Sequence, residues 1–284
     1  MKNILVTGST GFIGSNIVRI LKNKYKITAL IRNKKKNKKN KNINYLFFKN
    51  NDHLNTILKS KKFDIVIHCA THYKKKHDKN DVKKMVESNI YLGNVILENI
   101  KTLKVKKFIN FTTVWENHNG ITSNPANLYA AYKLAFSNIL KNYIKTYPNI
   151  SFYNLYLSET FGFGDERFKI LPTIKKNYIK NQTTIINNKI LKLNLLNVKD
   201  IVLAIENIIN KKIKYGSYGI LNFTKVSIYD VIRVINEDKS ITKKIKIKWK
   251  SNKKFEEKLS KYKPLPFWKP KNSSIYDIKK YLLN

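Results

Sequence analysis

The chain has 284 residues, 42% of them hydrophobic, enough for one large core or two fused lobes and too apolar for a disordered tail. Its 57 Lys and Arg against 18 Asp and Glu give a formal charge of +39, but the cations are spread along the chain rather than gathered in one stripe, which argues against nucleic acid as a partner. A single cysteine, Cys69, excludes an internal disulfide and a cysteine-rich zinc site, and no metal centre is expected. No apolar run approaches the roughly 20 residues of a membrane span. The first strand begins almost at residue 1, so no leader is expected and the predicted location is cytoplasmic.

The first element predicted is a short buried strand at Ile4-Leu5-Val6, followed by Thr7-Gly8-Ser9-Thr10-Gly11-Phe12-Ile13-Gly14 and then a helix carrying Ile17, Val18, Ile20 and Leu21 on one face. Strand, glycine turn and helix is the setting in which such a motif binds a dinucleotide. Gly8 serves the tight turn, Gly11 lets backbone N–H groups approach a pyrophosphate, and Gly14 lets the helix lie close on the strand. Gly8, Thr10, Gly11, Phe12, Ile13 and Gly14 are therefore candidate cofactor residues.

A second strand, Ile27 to Ile31, ends at Arg32. An acidic residue there would bind a free ribose 2′-hydroxyl, whereas an arginine accommodates a 2′-phosphate. Arg32 thus favours NADP(H), with NAD(H) the alternative. The run Lys34-Lys35-Lys36-Asn37-Lys38-Lys39 reads as a solvated loop, one or two of whose lysines face the same phosphate. Further strands are predicted at Tyr45 to Phe48, at Phe63 to Thr71 and at Val105 to Phe111, the last leading into Thr112-Thr113. A helix carrying Val86, Asn89, Ile90, Val95, Ile96 and Leu97 lies between the latter two. The alternation argues for an α/β protein with a doubly wound parallel sheet of the Rossmann type, whose ligands bind beyond the carboxyl ends of the strands. Small residues at Cys69, Ala70 and Thr71 let a cofactor pass close by.

The second constellation is Tyr129-Ala130-Ala131-Tyr132-Lys133, on a predicted helix. Tyr129 and Lys133 share a face, and an ammonium lowers the pKa of a nearby phenol, which then exchanges protons with a substrate oxygen. Tyr132 lies on another face and reads as packing.

These residues, taken together, resemble the extended short-chain dehydrogenase/reductase family, the nucleotide-sugar epimerase/dehydratase group. The resemblance spans nearly the whole chain and includes His68-Cys69-Ala70-Thr71, Asn89, Phe161-Gly162-Phe163-Gly164, Asn197-Val198-Lys199-Asp200 and Phe267-Trp268-Lys269-Pro270. It implies Tyr129 as acid/base, Lys133 as the residue that orients ribose and tunes Tyr129, and Thr113 as the hydrogen-bonding partner of the reacting oxygen, with Thr112 its substrate-side neighbour and fallback. Family dehydratases carry Asp-Glu directly after the catalytic Thr, where this chain has Val114-Trp115, so the resemblance argues against dehydration. Within the family, Phe108 to Trp115 and the Gly-Phe-Gly-Asp-Glu-Arg-Phe-Lys stretch most resemble the CDP-abequose and CDP-paratose synthase type. That likeness implies NADPH-dependent reduction of the 4-keto group of a nucleotide-linked deoxysugar. An NAD-dependent epimerase is the alternative, and a redox-sensing or RNA-binding protein on the same fold is a different class. Family members often pair as dimers, so a homodimer is an expectation.

The predicted boundary lies near residue 157: residues 1–157 form the dinucleotide-binding domain and 158–284 a smaller, mainly substrate-binding lobe interleaved with returning strands. In that lobe Arg167 and Lys169 are candidates to grip a substrate diphosphate, and Glu159 to hydrogen-bond the sugar. Asp200 opens an apolar-periodic helix and reads as its N-cap.

Overall fold

The computed structural model describes residues 1–32, 42–74, 76–251 and 260–284. The lysine run 34–39 lies outside the described residues. By contacts the chain divides into two units, the first made of Met1–Leu157 with returns at Lys212–Gly219 and 260–263, the second of Ser158–Lys211, 220–251 and Pro264–Asn284.

In the first unit the elements run β1 (Asn3–Thr7), α1 (Phe12–Leu21), β2 (Lys26–Ile31), β3 (Ile43–Phe47), α2 (Asn51–Leu58), β4 (Ile65–His68), α3 (Lys79–Val86), α4 (Leu92–Glu98), β5 (Lys107–Thr113), α5 (Leu128–Thr146) and β6 (Ser151–Leu157). The strands lie in the order β3-β2-β1-β4-β5-β6, with a seventh strand at Gly216–Ile220 beyond β6. The pairings from β3 to β6 are all parallel. A parallel sheet is covered on both faces, which is why Ile4, Leu5 and Val6 form an unbroken buried apolar run. The order reverses between β1 and β4, so the crevice beyond the carboxyl ends of those two strands is the ligand position of a doubly wound sheet. Leu54, Leu58, Val66, Ile96, Phe108 and Phe136 belong to the core on one side of it.

Two local departures from the predicted elements occur beside that crevice. The fourth strand ends at His68 rather than Thr71, because the Ala70 N–H donates to Thr7 Oγ1 (3.1 Å) instead of continuing the ladder. The single helix expected through Val86 to Leu97 is split, with a π-helical turn at Glu87–Tyr91 between α3 and α4. That turn carries Asn89, which is fully buried. Its Oδ1 accepts from Thr71 Oγ1 (2.7 Å) and the His72 N–H (3.0 Å), and its Nδ2 donates to the His72 carbonyl (3.0 Å). One side chain thereby fixes the course of the chain leaving β4. Inserted π turns of this kind recur at functional sites.

The second unit contains β7 (Glu159–Phe161), α6 (Ile170–Ile179), β8 (Thr184–Ile186), β9 (Lys192–Leu193), β10 (Leu195–Asn197) and α7 (Val198–Asn210). After the strand at Gly216–Ile220 (β11) follow β12 (Val226–Ser227), α8 (Ile228–Glu237), β13 (Ile247–Trp249) and α9 (Ile275–Leu283). β10 pairs with β7 and β13 with β8, both parallel, and β12 with β9 antiparallel. Phe161, Leu171, Ile174, Val231, Ile235 and Leu282 lie in its core.

The N-cap expectation for Asp200 is corrected. Asn197 caps α7, accepting from the Lys199 N–H at 3.0 Å. Asp200, one turn in and fully buried, instead holds the segment after Trp268. Its carboxylate accepts from the backbone N–H of Lys271 (2.8 Å) and of Asn272 (2.9 Å), from Asn272 Nδ2 (2.8 Å) and from Ser273 Oγ (2.6 Å). The Asp200 carbonyl accepts from Trp268 Nε1 at 2.9 Å. The Asn197-Val198-Lys199-Asp200 motif and the segment that begins with Phe267-Trp268 are therefore one clasp.

Candidate active site

The glycine turn after β1 has the shape a pyrophosphate needs. Gly8 sits at φ +59, and a Cβ there would lie 2.7 Å from the backbone of Cys69 and Ala70. A Cβ on Gly14 would come within 2.2 Å of the Gly8 carbonyl oxygen, so no other residue lets α1 approach β1 this closely. Gly11 is exposed and caps α1 with no side-chain hydrogen bond, and no acidic residue occupies the first turn. The first intrahelical bond of α1 runs from Ser15 N to Gly11 O, so the N–H groups of Ile13 and Gly14 point out of the helix start with no intrahelical acceptor. A helix dipole with an open, acid-free end and a glycine approach fits a bound dinucleotide phosphate. Thr10 is exposed beside Gly11, and Phe12 and Ile13 are half-buried.

Across the crevice lie Cys69, Ala70 and Thr71. Ala70 is buried and Thr71 exposed. Burial pushes the Cys69 thiol pKa up, so it stays protonated. His68 is buried between the rings of Phe108 and Phe136 and bonded through Nδ1 to Thr7 Oγ1 (3.0 Å). Burial, with the Lys133 charge adding to it, lowers its pKa to about 3, and the ring is neutral. It is a packing residue. Arg32, exposed at the end of β2, lies over the Phe48 ring (5.5 Å to the centroid) with Nη1 3.5 Å from Ser88 Oγ.

Tyr129 and Lys133 sit in the first two turns of α5, whose start is fixed by Asn127 accepting from the Ala130 N–H (3.0 Å). One turn apart, they project from one face. Lys133 is 3% exposed. Burial lowers its pKa to about 8, and the nearby Glu116 carboxyl opposes that fall. Tyr129 is half-buried and meets Tyr73 edge-on at 5.2 Å; Tyr73 in turn lies 6.1 Å from Trp115. Thr112 and Thr113 alternate across β5. The Thr112 hydroxyl donates into the Glu116 carboxyl, whereas Thr113 Oγ1 accepts from the Trp115 N–H (3.2 Å) and keeps its own proton to donate. The first unit thus carries the glycine turn, Thr113, Tyr129 and Lys133 on one sheet and its flanking helices.

Glu159, Arg167 and Lys169 belong to the second unit. Arg167 forms a fork on Asp165 (Nε–Oδ1 2.7 Å, Nη2–Oδ2 2.8 Å) and also donates to the Thr160 carbonyl (2.7 Å). Lys169 Nζ pairs with Glu159 Oε1 at 3.0 Å. Three residues that the sequence reading passed over lie around the Tyr129–Lys133 pair: Glu116, Trp115 and Tyr73. Trp115 entered only as the residue standing where dehydratases have an acid, and Tyr73 sits in a basic loop with no periodic signal. Among the described residues no three acidic, histidine or cysteine side chains gather as a metal site, and no helix is long and apolar enough to cross a membrane.

A crevice at the strand-order reversal, a glycine turn and a Tyr/Lys pair on the following helix define a dinucleotide-dependent oxidoreductase fold. The NAD dependent epimerase/dehydratase family model matches residues 4–222, and the chain belongs to that family of extended short-chain dehydrogenase/reductase enzymes, which act on nucleotide sugars. It is 27% identical over 252 residues to the CDP-abequose synthase of Salmonella muenchen, covering 86% of this chain and 83% of that protein. In fold it is similar to the UDP-N-acetylglucosamine 4-epimerase of Methanobrevibacter ruminantium M1, solved with UDP-N-acetylmuramic acid (TM-score 0.79, 19% identity, 99% and 97% of the two chains). The dTDP-glucose 4,6-dehydratase of Bacillus anthracis str. Ames, solved with NAD, is similar to the same degree (TM-score 0.79, 18% identity, 100% and 96%).

Proposed function

We propose that this enzyme reduces the 4-keto group of a nucleotide-linked deoxysugar with NADPH. The observation that carries the reading is the Tyr129–Lys133 pair on α5, the helix that follows Thr113 at the end of β5, in a chain that lacks the acidic pair of a dehydratase after that threonine. The nicotinamide, when bound, supplies the hydride. Gly8, Thr10, Gly11, Phe12, Ile13 and Gly14 hold the pyrophosphate, Cys69, Ala70 and Thr71 give passage at the end of β4, and Lys133 holds a ribose. Thr113 donates a hydrogen bond to the sugar carbonyl oxygen, and Tyr129 delivers the proton that oxygen takes up. The Lys133 charge stabilises the phenolate left behind, which lowers the cost of that transfer. Tyr73 meets Tyr129 edge-on with Trp115 on its other contact, and neither side chain is a base for elimination.

In the second unit, Glu159, Lys169 and Arg167 are the proposed substrate contacts. Lys169 opens α6, whose start has no side-chain cap and no acidic residue in its first turn, a setting that favours a phosphate. The direct test of this reading is a panel of nucleotide-linked 4-keto sugars incubated with NADPH, with the product identified. A 4-hydroxy sugar nucleotide supports it; recovery of every 4-keto sugar unreduced, with a matched 4-hydroxy panel converted to unsaturated or 6-deoxy-4-keto products instead, overturns it.

Cofactor choice rests on Arg32. If its guanidinium meets the 2′-phosphate, Arg32→Asp weakens NADPH by roughly 1.5–3 kcal/mol, the scale of a hydrogen bond to a charged group, and spares NADH. Dissociation constants for both cofactors on both proteins check this. Equal losses for the two cofactors would make Arg32 a surface charge only.

A further inference from the structure

Among the described residues of the first unit, Glu116 is the one buried acid that the mechanism above does not use. It lies in the 3-10 segment that follows Thr113, and its side chain turns inward to 0% exposure. A chain of side-chain hydrogen bonds ends on it. Asn110 Nδ2 donates to Asn154 Oδ1 (2.7 Å), Asn154 Nδ2 donates to Ser137 Oγ (3.2 Å), and Ser137 Oγ donates to Glu116 Oε1 (3.0 Å). Asn154 takes one of the two serine lone pairs, and the serine proton is left for the carboxyl. Thr112 Oγ1 donates to the same oxygen. Oε1 therefore receives two hydroxyl protons, while Oε2 is buried with no hydrogen bond of ordinary geometry, although the Tyr156 hydroxyl on β6 interacts with the carboxyl. A buried carboxyl with an unsatisfied oxygen requires either a proton or a nearby positive charge.

The groups around it supply that charge. Lys133 and Lys141 stand on α5 one helical turn before and after the Ser137 that bonds Glu116, on the same face, while β6 brings only the uncharged phenol Tyr156, whose ring packs on Tyr262 at 4.5 Å. His68 and Cys69, at the end of β4, face Lys133 but are both neutral. Burial raises the Tyr156 phenol's pKa, with Glu116 adding to it, so that group is neutral too. Glu116 is thus the acid in this set able to oppose the ammonium of Lys133.

We propose that Glu116 is a positioning residue whose buried carboxylate is the counter-charge that keeps Lys133 protonated one helical turn from Tyr129. Its catalytic meaning rests on the function proposed above, but the electrostatic coupling does not. Burial raises the Glu116 pKa to about 7, while the hydrogen bond from Ser137 and the Lys133 charge pull it back. The pair consequently changes state across the neutral range. Above it the carboxylate is ionised and supports the ammonium; below it the carboxyl is neutral, and Lys133 stays charged because its own pKa, about 8, lies higher. The need for Glu116 is therefore greatest between those two values and just above them, where an unsupported Lys133 would lose its proton.

The test reads Lys133 directly. With lysine labelled at Cε, its NMR resonance is assigned by its loss in Lys133→Met and titrated without substrate. In the wild type it shows a midpoint well below that of the exposed lysines, with a second inflection near neutrality as Glu116 titrates. In Glu116→Gln, which keeps the shape, the midpoint falls by at least about one pH unit, a tenfold loss of proton affinity. Glu116→Asp, which keeps the charge, stays nearer the wild type. The alkaline limb of kcat/KM moves by the same amount as the midpoint. An unmoved Lys133 midpoint in folded Glu116→Gln overturns the proposal, and so does a wild-type titration with no second inflection, which is decisive even if the variant does not fold. A midpoint that moves while the kcat/KM limb stays put overturns the catalytic role. Failure of every 4-keto sugar nucleotide as substrate, with the midpoint shift intact, overturns the proposed function and leaves the coupling standing.

Discussion

Tyr129→Phe is expected to lower turnover by about 10²–10⁴-fold, the usual contribution of a positioned general acid, while cofactor affinity changes little. The substitution keeps the ring, so the edge-on contact with Tyr73 survives and α5 stays capped by Asn127. Only the transferable proton is lost. Tyr132, three residues further along the same helix and half-buried, gives the matched control: Tyr132→Phe is expected to retain most activity. Steady-state kinetics and NADPH titration on both variants check the pair. A dead Tyr132 variant beside a live Tyr129 variant would move the site to another helical face and undo the role given to Lys133.

Asp200→Ala is expected to cost more than about 3 kcal/mol of stability. The carboxylate satisfies two backbone N–H groups, one amide and one hydroxyl, all on residues 271–273, and charge-assisted bonds of this sort contribute about 1.5–3 kcal/mol each. Removing it strands several donors in a buried place, so the loss comes from unsatisfied groups as much as from the bonds themselves. Asp200→Asn keeps the shape and some of the acceptors and is expected to lose less. Urea unfolding followed by tryptophan emission reads the difference, since Trp268 is part of the same clasp. A change within about 0.5 kcal/mol, ordinary for a surface residue, would show that the clasp does not hold the C-terminal segment.

How much of this could be read in the sequence depended on whether the cause was local. The glycine turn was legible because backbone geometry limits its residues: Gly8 at positive φ and Gly14 against the Gly8 carbonyl admit no side chain. The Tyr129 and Lys133 spacing was legible because a helix places residues four apart on one face. The parallel, doubly wound class of the sheet followed from strands and helices alternating. Asp200 was misread because its position at a helix start matches a capping acid, while its partners lie some 70 residues away. The π turn around Asn89 left no mark in the apolar periodicity, since one inserted residue merely shifts the phase. Glu116 was missed because a charged residue after an aromatic one reads as exposed; only the fold brings Thr112, Ser137 and Lys133 around it.

The central claim is that this enzyme consumes a reduced cofactor to make an alcohol, and stoichiometry tests it most directly. A 4-keto sugar nucleotide is supplied with NADPH, and absorbance of the cofactor is followed against product formed. The account predicts one NADPH oxidised for each keto group reduced, with cofactor exchanged in every cycle. A protein that holds NAD through purification and interconverts two hydroxyl epimers with no net loss of cofactor would contradict it.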